Sequence, residues 1–231
     1  MKTLLYMLMW PILHIYTVLY LKLSVLRHAP LPSGPRILVA NHPTTADPFF
    51  VAWLVEGPSA ILITEAAFKV PLFGRYLRWA GHIPVTVGQG RAAFMQARAV
   101  LEAGGTVIIF PEGNLSPREA FCPAHSGAAR LALLTGAPVI PIGIHLLWEK
   151  LREVNLVGED APSRWPLHTP YAMTMGAALY FSGDAEDRVC VAAVTQTIMR
   201  HIAQMAQQSA ARLRLAQLTW TGVLGNLPEV G

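Results

Sequence analysis

Short, largely apolar runs recur through the middle of the chain, set off by Gly, Pro, Asn or Thr: residues 37–40, 60–64, 81–87 and 106–110, with a longer one over 136–144. Such runs, bounded by turn residues and too short for a helix, read as buried strands. Helical segments are expected between them: a short apolar helix over 49–55 ended by Gly57-Pro58, a helix opened by residues 88–93 and continuing to 103, and another over 125–135. From 188 to 221 there is no Gly or Pro, and Val191, Val194, Ile198, Ile202 and Met205 recur at helical spacing. That stripe predicts one long helix packed on a core. A last strand is expected over 171–179, whereas 148–170 carries mixed charge and yields no predicted element. The alternation predicts an α/β fold, a single domain with a mixed, largely parallel sheet flanked by helices.

At the amino end the pattern changes. Residues 3–21 carry no formal charge, about 28 Å if helical against a hydrocarbon core of roughly 30 Å. Pro11 and His14 interrupt the run, so the expectation is a membrane-associated helical segment that either spans once or kinks and lies half in the bilayer. Lys22, Arg27, His28 and Arg36 follow it and outnumber Lys2 at the other end, which places the remaining chain on the cytoplasmic side of a cell membrane. A proline-rich linker over 29–35 then separates an anchor (1–28) from a globular part (29–231).

Composition supports that placement. The 231 residues are 53% apolar and only 14% charged, with a mean hydropathy of +0.39. Eighteen Lys and Arg against fourteen Asp and Glu leave a dispersed +4, and no basic or aromatic recognition motif accompanies it, which argues against nucleic acid. Anionic lipid or a substrate phosphate is the simpler partner. Cys122 and Cys190 show no metal-like or disulfide-framework spacing, and the histidines show no ligand spacing, so no metal is expected.

The candidate chemistry follows the first strand: Asn41-His42-Pro43-Thr44-Thr45-Ala46-Asp47-Pro48. Pro43 biases His42 towards an extended backbone, and Asp47-Pro48 reads as a helix start with the carboxylate at the N-cap. His42 then lies at a strand's carboxyl end, where ligands bind in open α/β sheets. Such a pair serves base catalysis: one ring nitrogen takes a proton from an alcohol while Asp47 holds the other. If the acyl donor is an activated thioester, no separate nucleophile is needed. The competing reading makes Asp47 a helix cap and His42 an ordinary loop histidine.

Two further segments carry alternatives. Lys69, Arg75, Arg78, Arg91 and Arg98 lie between Glu65 and Glu102 with no acidic residue among them, either a solvated face or a wall for anionic groups. Gly88-Gln89-Gly90-Arg91-Ala92-Ala93, placed between a strand and a helix with Glu112 about twenty positions on, matches a dinucleotide fingerprint and supports a rival oxidoreductase. That fingerprint normally opens the first βαβ unit, whereas two strands precede it here. Phe110-Pro111-Glu112-Gly113-Asn114-Leu115-Ser116 ends a buried strand in a proline turn, a loop suited to hydroxyls or phosphate.

Taken in order, Asn41-His42-x4-Asp47, Gly81-x-Ile83-Pro84-Val85, Phe110-Pro111-Glu112-Gly113 and Val139-Ile140-Pro141-Ile142-Gly143 resemble the glycerolipid acyltransferase family of the lysophosphatidate acyltransferase type. The resemblance covers roughly residues 36–145 and makes 29–231 the acyltransferase domain. It implies His42 as general base, Asp47 as its orienting partner, and Glu112 and Gly113 as acceptor-binding residues, with Asn114 beside them. Acyl-CoA or acyl carrier protein would be the co-substrate, with no other cofactor. Two departures stand out: Val87 and Leu115 occupy places where the family usually has arginines associated with the acceptor's phosphate. Arg91 is the candidate substitute; otherwise the acceptor is another lysolipid or a lipid-like alcohol.

Overall fold

The computed structural model describes residues 2–55, 57–118, 120–154, 163–166 and 168–224; the last seven residues of the expected domain lie outside it. The elements in chain order are α1 (Lys2–Leu19), β1 (Ser24–Arg27), β2 (Arg36–Ala40), α2 (Asp47–Trp53), β3 (Ser59–Thr64), α3 (Glu65–Lys69), α4 (Phe73–Ala80), β4 (Ile83–Val85) and α5 (Gly90–Glu102). They continue with β5 (Thr106–Ile109), α6 (Gly127–Thr135), β6 (Val139–Leu146), a single 3₁₀ turn (Trp148–Lys150), β7 (Leu151–Val154), β8 (Ser163–Pro166), β9 (Tyr171–Met175) and α7 (Arg188–Leu224).

A seven-stranded sheet runs in the order β1-β9-β6-β2-β5-β3-β4. All neighbours are parallel except β9 against β6, so the expected mixed, largely parallel sheet is present. Apolar runs such as Ile37-Leu38-Val39-Ala40 are buried on both faces because helices cover both. On one face Ile37, Val39, Val107 and Val139 meet α5, α6 and α7; on the other Leu38, Ile108, Ile140 and Ile142 meet α2 and the inward residues of α1. The stripe Val191, Val194, Ile198, Ile202 and Met205 on α7 is buried and serves core packing.

Three features differ from the sequence expectation. Residues 24–27, on the anchor side of the expected boundary, form β1 and pair with β9, and Leu21 is wholly buried, so the globular unit begins before residue 29. The N-terminal helix forms as expected, but among the described residues no helix is long and apolar enough to cross a membrane. Its Leu13 and Tyr16 pack on the core beside α2, and Thr17 is fully buried, which makes α1 partly a core helix. Last, 148–170 contains the β7–β8 hairpin, with Leu151 opposite Pro166.

Candidate active site

The carboxyl ends of β2 and β5 open into the two loops singled out by the sequence. Asn41, at the end of β2, is buried, and its side-chain amide exchanges hydrogen bonds with the main chain of Ile144 on β6 (2.7 and 3.0 Å). That pairing fixes where the chain leaves the sheet. His42 follows, its ring 4.3 Å from that of Phe110 at the end of β5.

His42 Nδ1 lies 3.0 Å from Asp47 Oδ2. Asp47 is fully buried, whereas the His42 side chain is 17% exposed. With Nδ1 facing the carboxylate, Nε2 is left as the nitrogen that can take a proton. Asp47 is not the N-cap expected from sequence: Ala46 occupies that position and makes no side-chain cap, and Asp47 is the first helical residue. Its carboxylate instead turns back onto the loop. Oδ2 also accepts the Thr44 main-chain N–H (2.7 Å), and Oδ1 accepts the hydroxyls of Thr44 and of Tyr171, the latter at 2.5 Å. Four donors therefore converge on one desolvated charge, which offsets the cost of burying it.

Tyr171 lay outside the residues named from sequence. It stands at the amino end of β9, opposite Leu146 at the carboxyl end of β6. Because β9 runs against the parallel strands, its start, not its end, reaches the site. Burial and the neighbouring Asp47 charge push the phenol well above its ordinary pKa, so it remains a neutral donor.

The second loop is tied to the first. Ser116 N–H donates to His42 O (2.7 Å), and His42 N–H donates to Ser116 Oγ (2.8 Å). Glu112 is 1% exposed. Its two oxygens accept the Ser116 hydroxyl (2.5 Å) and the Cys122 main-chain N–H (2.6 Å). The family resemblance implied acceptor binding for Glu112; in the structure its carboxylate holds Ser116, and through it the His42 main chain. Gly113, at φ +66°, has its Cα against the His125 ring, where a Cβ would come within 3.0 Å. It is exposed, as is Asn114, so these two line the open side of the turn. Burial and the Glu112 charge raise the Cys122 thiol, which disfavours it as a nucleophile.

Arg91 is not brought to this site. It is exposed in the first turn of α5, beyond β4, and β4 lies three strands from β2, about 14 Å away at the usual strand spacing. Of the other four basic residues in that segment, Lys69 and Arg98 pair with Glu65 and Glu102 on their own helices, and Arg75 lies over Trp79. A cation does reach the site from the hairpin that sequence could not read. Arg164 Nη1 donates to Ser116 O (2.7 Å), and its main chain exchanges hydrogen bonds with Thr45 (2.9 and 3.0 Å). The dinucleotide alternative fails on topology. β3 lies between β4 and β5, so the fingerprint segment does not join adjacent strands, and Glu112 is enclosed in its own loop.

The α/β sheet thus presents, at its carboxyl edge, a buried carboxylate paired with a partly exposed imidazole, an arrangement suited to base catalysis. Comparison makes the class definite: residues 22–145 match the Acyltransferase family model, and the chain belongs to that family. A 1-acyl-sn-glycerol-3-phosphate acyltransferase of Cocos nucifera is 31% identical over 121 residues, covering 49% of this chain and 39% of that protein. One of the same description from Pseudomonas aeruginosa is 31% identical over 116 residues, covering 48% and 45%. The matched part thus spans less than half the length of these relatives. The crystal structure of the 1-acyl-sn-glycerophosphate acyltransferase PlsC from Thermotoga maritima superposes with a TM-score of 0.52 at 24% identity, over 78% of this chain and 73% of that one, and shares the fold.

Proposed function

We propose that this protein is a membrane-surface O-acyltransferase that moves a fatty acyl group from a thioester, acyl-CoA or acyl carrier protein, to a hydroxyl of a lysophospholipid such as 1-acyl-glycerol-3-phosphate. The single observation that carries the reading is the 3.0 Å contact of His42 Nδ1 with buried Asp47. Nε2 of His42 would accept the proton of the acceptor hydroxyl as its oxygen attacks the thioester carbonyl. The carbon–sulfur bond then breaks, and the leaving thiolate takes the proton from the imidazolium. Asp47 stabilises the cation between these two transfers.

Two surface features support lipid-side access. Leu4, Leu8, Ile12, Ile15 and Leu19 form one exposed stripe along α1, a face suited to lying in a bilayer surface rather than crossing it. At the end of that helix, Lys22, Lys150 and His168 line one cavity beside Leu19 and Tyr20, a cationic rim matched to anionic headgroups.

The second reading, a neutral lysolipid or lipid-like alcohol as acceptor, is favoured by one observation. Val87, at a place where the family usually has arginine, is 97% exposed and brings no charge. The test is a panel of phosphate-bearing and neutral acceptors with acyl-CoA and with acyl carrier protein, read as thiol release and by mass spectrometry of the product. His42→Ala should lose about 10²- to 10⁴-fold in rate while remaining folded. Wild-type transfer by that variant sinks the mechanism.

A further inference from the structure

The Tyr171 hydroxyl takes no part in the reaction just described, yet it is aimed at Asp47 from β9, on the sheet face that α2 covers. The ring is fixed on all sides. It lies edge-on to Phe50 of α2 (5.3 Å, 79°), its main-chain N–H donates to Leu21 O (3.1 Å), and the residue is wholly buried. Packing alone would be satisfied by phenylalanine; the 2.5 Å contact with Asp47 Oδ1 requires the oxygen.

We infer that Tyr171 is a positioning residue that sets the strength of the His42–Asp47 pair by holding the second carboxylate oxygen. The inference rests on the reading of His42 as the base. Asp47 Oδ2 serves His42 and the Thr44 amide, and Oδ1 serves the Thr44 and Tyr171 hydroxyls. With Oδ1 held, the carboxylate plane cannot rotate away from the imidazole. With its charge shared among four donors, Asp47 pulls on the His42 proton less than a bare carboxylate would. His42 is thereby kept aligned on one carboxylate oxygen while the other is held by the two hydroxyls.

Other ionisable groups near the pair come from every element packed on the loop. Glu112 and Cys122 lie behind Ser116, Arg164 contacts Ser116 and Thr45 from β8, and Tyr16 of α1 donates to Pro166 O. None of these is among the donors found on Asp47. Removing the Tyr171 oxygen therefore changes one donor to the pair and leaves the surrounding charges in place.

Tyr171→Phe tests this with two independent readouts. The first needs no substrate: long-range proton–nitrogen NMR of the His42 ring across pH. Loss of a donor leaves Asp47 with more charge for the imidazolium, so the ring's titration midpoint should move to higher pH by about half a unit relative to wild type. The second is the pH profile of kcat/KM for thiol release. The value should fall about tenfold, with the acidic limb moved in the same direction, because the working form of the base is neutral. A purely structural tyrosine would lower thermal stability and move neither midpoint nor limb, and that result overturns the inference. In an Asp47→Asn background the Tyr171→Phe change should move neither; a full-sized further shift there also overturns it. If the wild type releases no thiol with any acceptor, the proposed function fails, but the NMR midpoint still decides the role of Tyr171.

Discussion

His42 and Ser116, 74 positions apart in sequence, clasp each other by two hydrogen bonds, amide to hydroxyl and amide to carbonyl. The clasp makes the two motif loops one unit. Glu112 holds the serine hydroxyl from behind, so its carboxylate acts on His42 through a main-chain position.

Ser116→Ala is therefore expected to cost more than its small volume suggests. It leaves the His42 N–H without its acceptor and deprives buried Glu112 of a donor, a loss of about 1–3 kcal/mol. Thermal denaturation should show the fall in Tm, and kcat/KM should drop with it as His42 loses its fixed backbone. Ser116→Thr, which keeps the hydroxyl, should retain most of both. A Ser116→Ala protein as stable and active as wild type would mean the clasp is incidental.

Alkaline stability offers a separate check on the buried phenol. Tyr171 has a pKa raised above its unfolded value by burial first and Asp47 second. A raised pKa stabilises the fold fully below the unfolded value near 10 and is lost as pH rises from there, because only the unfolded chain ionises readily. Above that value the residue should contribute a fall of about 1.4 kcal/mol per pH unit. Burial also raises Tyr16 and Tyr76, so a slope remains without it. Urea midpoints at pH 9 and 11 should therefore converge in Tyr171→Phe compared with wild type; equal slopes in the two proteins would contradict the burial of an un-ionised phenol.

Gly143 belongs to a segment read from sequence as part of a family motif, and the structure gives it a packing reason. A Cβ there would lie 1.8 Å from the main-chain nitrogen of Ala206 on α7, so that helix rests directly on β6. Gly143→Ala must push α7 off the sheet and break the Ser209 hydroxyl's bond to Gly143 O (2.8 Å). Overpacking of this kind costs about 1–3 kcal/mol, occasionally more. The Tm should fall by several degrees or the protein should fail to express in soluble form. Gly136→Ala, at a helix end with no atom within 4 Å of the added carbon, strains only its positive φ and should cost less.

What sequence could read was local or periodic. The parallel strands stand out because they are apolar on both faces, the α7 stripe because its spacing is helical, and the His42–Asp47 pair because four intervening residues suffice to bring the two together. Tyr171 and Arg164 depend on where distant chain segments dock. Tyr171 reaches Asp47 only because β9 enters the sheet antiparallel, and nothing in residues 171–175 announces that direction. Arg164 sits in a hairpin of alternating charge that lacks the apolar alternation of a core strand. Its half-exposed strands are set by packing on Thr45 and Ser116, not by their own pattern. Asp47 misled as an N-cap because an aspartate before a proline satisfies the capping rule locally, while three donors from its own loop and the distant Tyr171 hydroxyl claim the carboxylate instead.

Helix α1 decides how the site meets its substrate, and its two faces make opposite demands. One face is spent on the fold: Tyr16 donates to Pro166 O (2.7 Å) and Thr17 is sealed, so mutations there should unfold the protein. The other face leaves Leu8, Ile12, Ile15 and Leu19 each more than half exposed, an apolar stripe larger than a water-facing helix retains without a use. Replacing Leu8 and Ile15 with serine should leave Tm within a degree or two, since neither side chain is buried. Sedimentation with vesicles containing anionic phospholipid should fall several-fold, and transfer to vesicle-held lysolipid should fall with it. Transfer to a short-chain, monomeric acceptor should be unchanged, because His42 and Asp47 belong to the loop after β2 and the start of α2, not to this helix. Undiminished vesicle binding by the double variant would remove α1 as the membrane-facing element, and equal losses on soluble and vesicle-held acceptors would show that the stripe supports the fold instead.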